Sequence, residues 1–88
     1  MATQKALVLF ADKEPYKLVS DWPIPTPGPT DVLVKVVAVA LNPVDAAVET
    51  YGGSFLGLAY PIVWGVDGAG VVEAVGSGVT RFVKGDRV

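Results

Sequence analysis

The stretch Pro61 to Gly76, PIVWGVDGAGVVEAVG, decides how the chain is read. Its C-terminal half carries Val71, Val72 and Val75, β-branched residues that favour an extended backbone. Glycines at 65, 68 and 70 lead into and interrupt this run. Glycine at such places lets the backbone bend sharply, or lets another group approach it closely. One carboxylate, Asp67, sits within the apolar residues. The pattern is a half-buried strand entered through a glycine-permitted bend, with something lying against that bend.

The glycines do not form a dinucleotide fingerprint. That motif needs G-x-G-x-x-G after a strand and at the start of a helix. Gly68 and Gly70 supply G-x-G, but the third position falls on Glu73 and the continuation is valine-rich. A β-barrel corner accounts for the spacing better than a phosphate cradle.

The rest of the chain fits a small, mainly β unit. Lys5 to Phe10 is short and apolar and predicts a first strand. Asp12-Lys13-Glu14-Pro15 predicts a turn. Tyr16 to Trp22 alternates, with Tyr16, Leu18 and Ser20 on one side and Lys17, Val19 and Asp21 on the other, as in an edge strand. Prolines at 23, 25, 27 and 29 forbid regular pairing and predict an extended connector. Asp31 to Leu41, DVLVKVVAVAL, is the strongest strand, and with only Lys35 polar inside it both faces are expected to be buried. Asn42-Pro43-Val44-Asp45 predicts a helix start: Asn caps, Pro suits the first helical position, and Asp45 can answer the cap backbone. The helix is expected over Pro43 to Glu49, stopping before Gly52-Gly53, with a loop over Thr50 to Tyr60. Further strands are expected near Asp67 to Val75 and at Phe82 to Val83. Lys84-Gly85-Asp86 predicts a turn, and Arg87-Val88 the first step of another strand, as in a piece of a longer protein.

Composition narrows the chemistry. The 88 residues suffice for one domain of marginal independent stability. Net charge is −2 with no basic run, which argues against a nucleic-acid partner. No segment approaches the ~20 apolar residues of a membrane span. The N-terminus lacks the form of a signal peptide, and the absence of cysteine fits a cytoplasmic protein. There is no histidine either. Thiolate and imidazole ligands are therefore missing, and with them the commonest general base. Chemistry here has to come from carboxylates, Tyr, Lys, amides or a bound cofactor.

Four pieces together resemble a known family: Pro25 to Val36 (PTPGPTDVLVKV), Ala38 to Asp45 (AVALNPVD), Pro61 to Val79, and Phe82 to Val88 (FVKGDRV). Their order resembles the N-terminal, GroES-like part of medium-chain dehydrogenases/reductases, most of all the zinc-independent quinone oxidoreductase and fungal enoyl reductase branch. The resemblance implies a partly open GroES-like β-barrel with one short helix. It also implies a Rossmann domain that binds NADPH and is absent from residues 1–88. In zinc-dependent members a Cys stands near Asn42 and a His-Glu pair at Val66-Asp67. This chain has Asn and Val-Asp there, so the resemblance implies no catalytic zinc.

The implied activity is NADPH-dependent reduction of an activated C=C bond or a quinone, with a small-molecule substrate and a homodimer left open for the full-length protein. The 88-residue chain alone is expected to be inactive. Asn42, with Pro43 and Val66, would face the cofactor. Asn42 reads either as a cap alone or as a cap whose amide also faces substrate, where an N–H can stabilise charge on an enone oxygen. Tyr51 reads as a proton donor or as loop packing. Phe55 and Trp64 read as packing or as pocket walls, with Tyr51 beside them. Asp45 reads as structural through the cap. Asp67 reads as a buried structural acid bonded to backbone or to Arg87, because an unpaired buried carboxylate is costly, or else as a pocket wall. Relatives often carry Tyr or Lys where this chain has Ala47, which weakens any assignment of the acid. The competing class is a non-catalytic GroES-like interaction module.

Overall fold

Two strands flank the N-terminal strand in the computed structural model, which describes residues 2–88 with the side chain of Phe55 outside the described residues. The elements are β1 (Thr3–Leu9), β2 (Lys17–Pro23), β3 (Val32–Ala40), α1 (Pro43–Tyr51), a 3₁₀ turn at Ser54–Leu56, β4 (Ile62–Val63) and β5 (Asp67–Val75). The chain is mainly β with one helix, as expected, and its sheets are open. It divides into two units: residues up to Ile24 with Leu41–Val66, and Pro25–Ala40 with Asp67–Val88.

In the first unit β1 is the central strand, antiparallel to β2 on one side and to β4 on the other. Ala6 and Val8 share a face by the two-residue period of a strand, and both are buried. Leu9 is buried as well, in the part of β1 flanked by Ile62 of β4. Burial of side chains such as Val8 and Leu9 stabilises the fold by roughly 1.5–3 kcal/mol each. Val48 of α1 joins them at 1% exposure. The edge position expected for the second strand holds, but its alternation does not. Gln4 pairs with Trp22 and Ala6 with Val19, so between these pairs one residue of β1, Lys5, faces two of β2, Ser20 and Asp21. This bulge inserts one residue and leaves Val19 and Trp22 both half-buried, where simple alternation separates them. The strand β4 has only two residues and was not expected.

The helix begins as its sequence dictates. Asn42 is the N-cap with an extended backbone, Pro43 is the first helical residue, and Asp45 completes a capping box. It runs two residues beyond Glu49, to Tyr51. Gly52 then ends it at φ +86°, a conformation that disfavours side chains, and its N–H bonds Val48 O at 3.1 Å. The proline connector carries no strand pairing from Ile24 to Asp31, but Pro23, expected within it, closes β2 and pairs with Thr3.

In the second unit β3 and β5 form an antiparallel pair from Val32↔Val75 to Ala40↔Asp67. The C-terminal residues line the other edge of β5: Val88 and Gly70 exchange two backbone bonds of 3.0 Å, and Val72 N–H donates to Asp86 O at 2.8 Å. The close approach expected at glycines falls on Gly70 and Gly76. A Cβ on Gly70 would stand 2.1 Å from Lys35 O, and one on Gly76 2.0 Å from Gly28 O. Around Gly65 and Gly68 there is room.

Two expectations fail here. The valine-rich strand is not buried on both faces: residues 35–40 are exposed, with Val37 at 76%. A bulge between Val36 and Ala38 breaks the alternation, and within this unit only Val72 is a fully buried side chain. Phe82–Val83 is not a strand. The Asp86 carboxylate accepts the Val83 N–H at 3.0 Å and Asp86 N–H returns to Val83 O at 3.1 Å, closing a turn where a strand would need those groups for pairing.

Candidate active site

Asp45 is the hub of the first unit's polar structure. As the third helical residue it points one carboxylate oxygen, Oδ2, back at the Asn42 N–H, 2.8 Å away. Its other oxygen, Oδ1, accepts the indole N–H of Trp64 at 2.8 Å. Its backbone carbonyl accepts the Tyr16 hydroxyl at 2.9 Å. Tyr16 in turn donates its backbone N–H to Glu49 Oε2, one turn further along the helix, at 2.8 Å. The residues Asn42, Asp45 and Trp64, chosen from sequence, are thus brought into one network, and Asp45 makes the capping contact its position predicts. Trp64 is more than packing: its ring nitrogen ties the segment after β4 to the helix start.

Tyr16 was missed, and no local signal marks it, since its partners lie 29 and 33 residues away. Burial, with the charges of Asp45 and Glu49 beside it, holds its hydroxyl above the usual phenol range and keeps it a donor.

The other predicted residues stand apart. Tyr51 occupies the last position of α1 at 70% exposure. Tyr51 lies eight residue steps along the helix from Pro43, about 12 Å of rise, so Asn42 and Tyr51 mark opposite ends of α1. Pro43 and Val66 are exposed surface of the first unit. The side chain of Phe55 lies outside the described residues. Asp67 corrects its expectation: it opens β5 opposite Ala40 and is exposed, not buried. Its neighbours Val66 and Gly68 are exposed too, so no core forms at that end of β5 to enclose it.

A second carboxylate network, also missed, holds the segment after the helix. Asp12 Oδ1 accepts Gly53 N–H at 3.0 Å, Ser54 N–H at 3.2 Å and the Tyr60 hydroxyl. Asp12 Oδ2 accepts the Ser54 hydroxyl. The Gly53 N–H is shared with Tyr60 Oη at 2.7 Å. The Ser54 hydroxyl, then the Tyr60 hydroxyl, hold the Asp12 carboxyl below its ordinary 3.8. The same contact raises Tyr60 above the usual phenol value of 10.0.

Comparison with known proteins agrees with this architecture. The model of the alcohol dehydrogenase GroES-like domain matches residues 28–88. A trans-enoyl reductase of Fusarium mangiferae is 52% identical over 73 residues, covering 83% of this chain and 19% of that protein. The solved quinone oxidoreductase of Pseudomonas syringae superposes over 99% of this chain and 26% of its own, with 39% identity and a TM-score of 0.65. The Escherichia coli quinone oxidoreductase, solved in complex with NADPH, covers 98% of this chain and 26% of its own at 27% identity, also with a TM-score of 0.65. The chain spans 19% to 24% of the length of the curated relatives it matches. With its mainly β architecture, its capped helix and a family match over most of its length, the chain belongs to the alcohol dehydrogenase GroES-like domain family.

Proposed function

We propose that this chain is the N-terminal, substrate-side segment of an NADPH-dependent reductase of activated C=C bonds or quinones that works without zinc. The observation that carries this reading is the pinned Asn42–Pro43 corner. Asp45 holds the Asn42 backbone, and Trp64 holds Asp45, in a chain similar throughout to quinone oxidoreductases. A side-chain amide on a fixed cap is a preorganised group, which is what stabilisation of a developing charge requires. An Asn amide has separate acceptor and donor atoms, so capping through oxygen and donating through nitrogen are compatible.

The residues present fit only one end of a dinucleotide. No strand–GxGxxG–helix unit exists in residues 1–88 to cradle phosphates, whereas Pro43, the residue after the cap, and Val66 are exposed and apolar. Asn42, Pro43 and Val66 would therefore touch the nicotinamide, and a Rossmann domain outside residues 1–88 would hold the rest. When bound, the cofactor supplies hydride to the carbon β to a carbonyl. Negative charge then develops on the carbonyl oxygen, where the Asn42 amide would donate a hydrogen bond. A proton reaches the α-carbon from water or from the rest of the protein, since Ala47 has none to give and Tyr51 stands at the far end of α1 from Asn42. Tyr51, Phe55 and Trp64 would shape the apolar wall.

Zinc does not fit this segment. The chain has no Cys or His, and its described residues gather no group of three potential ligands. We place the complete protein in the cytoplasm, from the lack of cysteine and of any helix among the described residues long and apolar enough to cross a membrane.

The test is NADPH oxidation by the complete polypeptide with a quinone and with an enone, before and after exhaustive chelation. Turnover that survives chelation is expected, together with less than stoichiometric zinc after dialysis. No turnover with either acceptor contradicts the reductase reading. Loss of activity on chelation, restored by zinc, contradicts its zinc-independent part.

A further inference from the structure

We propose that Asp12 is a positioning residue for substrate binding: from the turn after β1 it holds the Gly52–Tyr60 segment, which begins directly after Tyr51 of the proposed pocket wall. This rests on the reductase reading above, because that reading puts Tyr51 against substrate.

The geometry is specific to a carboxylate. Four donors converge on it: two backbone N–H groups, from Gly53 and Ser54, and the hydroxyls of Ser54 and Tyr60. Their sequence separations run from 41 to 48 residues, so the contact fixes a remote segment rather than its own turn. Together they occupy both ends of the loop, which begins just after Tyr51 and returns at Tyr60. The two glycines are shaped to this contact. A Cβ on Gly52 would stand 2.7 Å from Asp12 Oδ1, and one on Gly53 2.9 Å from Tyr60 Oη. Among its described side chains the loop contributes little core of its own: Ser54, Leu56 and Ala59 are exposed. A segment with few buried contacts draws its order from such polar ties. Asp12 itself is not buried and bonds the segment after the C-terminal end of α1, whereas Asn42 caps its N-terminal end, so it does not touch the reacting atoms in this reading.

The experiment uses the complete polypeptide and three variants. Asp12→Ala removes all four acceptor contacts. Asp12→Asn keeps an oxygen for the two amides and Tyr60 and can donate to the Ser54 hydroxyl, which also accepts. Ser54→Ala removes one contact and serves if Asp12→Ala does not fold. Amide exchange at Gly53 and Ser54, measured without ligand, and the KM and kcat for quinone and enone are read together. In Asp12→Ala the two amides should exchange faster, and KM should rise about tenfold with kcat per folded enzyme within about twofold. Asp12→Asn should recover most of both, and Ser54→Ala should show a weaker shift of the same kind.

A purely structural role would lower the folded fraction and leave KM unchanged. Loosened amides with an unchanged KM would therefore overturn the proposal while the reductase reading stands. Unchanged amide exchange in Asp12→Ala would overturn it as well. No turnover by the parental polypeptide would overturn the reductase reading and this proposal together.

Discussion

The two units of the chain are held together by different means. The first buries Ala6, Val8, Leu9 and Val48 and adds long-range side-chain hydrogen bonds to Asp12, Asp45 and Glu49. The second has the more apolar strand, yet it buries one large side chain, Val72, and is held by backbone ladders and close glycine contacts. An apolar sequence shows that a strand can be buried; whether it is depends on what covers it. The valines of β3 between positions 36 and 39 are exposed on both faces, and this is where surface of further protein would be needed.

The contrast can be broken most severely at Gly70. Gly70→Ala drives a methyl into the main-chain carbonyl of Lys35, 2.1 Å from its oxygen, with Val34 Cγ1 also 2.9 Å away. A loss on the order of 4 kcal/mol is expected, read as the urea midpoint of the complete polypeptide and as lost amide protection in the second unit. Leu9→Ala should come next, at about 3 kcal/mol, with protection lost first in β1 and β4. Asp45→Ala leaves the Asn42 N–H and the Trp64 indole without their acceptor and should cost about 2 kcal/mol by thermal melting. Val37→Ala, on the most apolar strand, should stay within about 0.5 kcal/mol of the parent in the isolated chain. A cost near that of Leu9→Ala would show that β3 is covered after all, for instance by a second copy.

The smallest effect is the dependence on pH. Asp12 has its carboxyl pKa depressed in the folded state, so its contribution is present above the unfolded value of about 4 and fades as pH falls through the lower folded value. Tyr60 behaves oppositely. Its pKa is raised, so its contribution is full below 10.0 and is lost as pH rises through the folded value. Melting of the parent against Asp12→Ala should therefore show a gap at neutral pH that narrows in acid. A gap that widens in acid would reverse the assignment.

What was legible in the sequence was local. The cap at Asn42, the proline after it and the answering Asp45 lie within four residues, and α1 begins where they place it. The strand Asp67–Val75 and the Lys84–Gly85 turn were likewise readable from short patterns. The bulges at Val19–Trp22 and at Val37 were not, because one inserted residue reverses a face without leaving a mark in composition. Phe82–Val83 misled because a downstream side chain, Asp86, takes the hydrogen bond that a ladder would use. Of the candidate site, Asn42 and Trp64, chosen from sequence, both bond Asp45, whereas Tyr16 and the Asp12 network depend on pairings tens of residues apart. Asp67 was misplaced because its burial depended on a core that β5 does not form at that end.

The central claim is that the pinned Asn42 serves chemistry as well as capping, and Asn42→Asp in the complete polypeptide tests it most directly. Aspartate caps about as well, so the melt should be unchanged. It replaces an amide donor by an acceptor-only anion, and loss of one such donor typically costs ~10²–10³ in kcat. With the cofactor dissociation constant measured alongside and cofactor held at saturation, an intact melt with kcat down by about that factor is expected. An intact melt with unchanged kcat would contradict the claim and leave Asn42 as a helix cap alone.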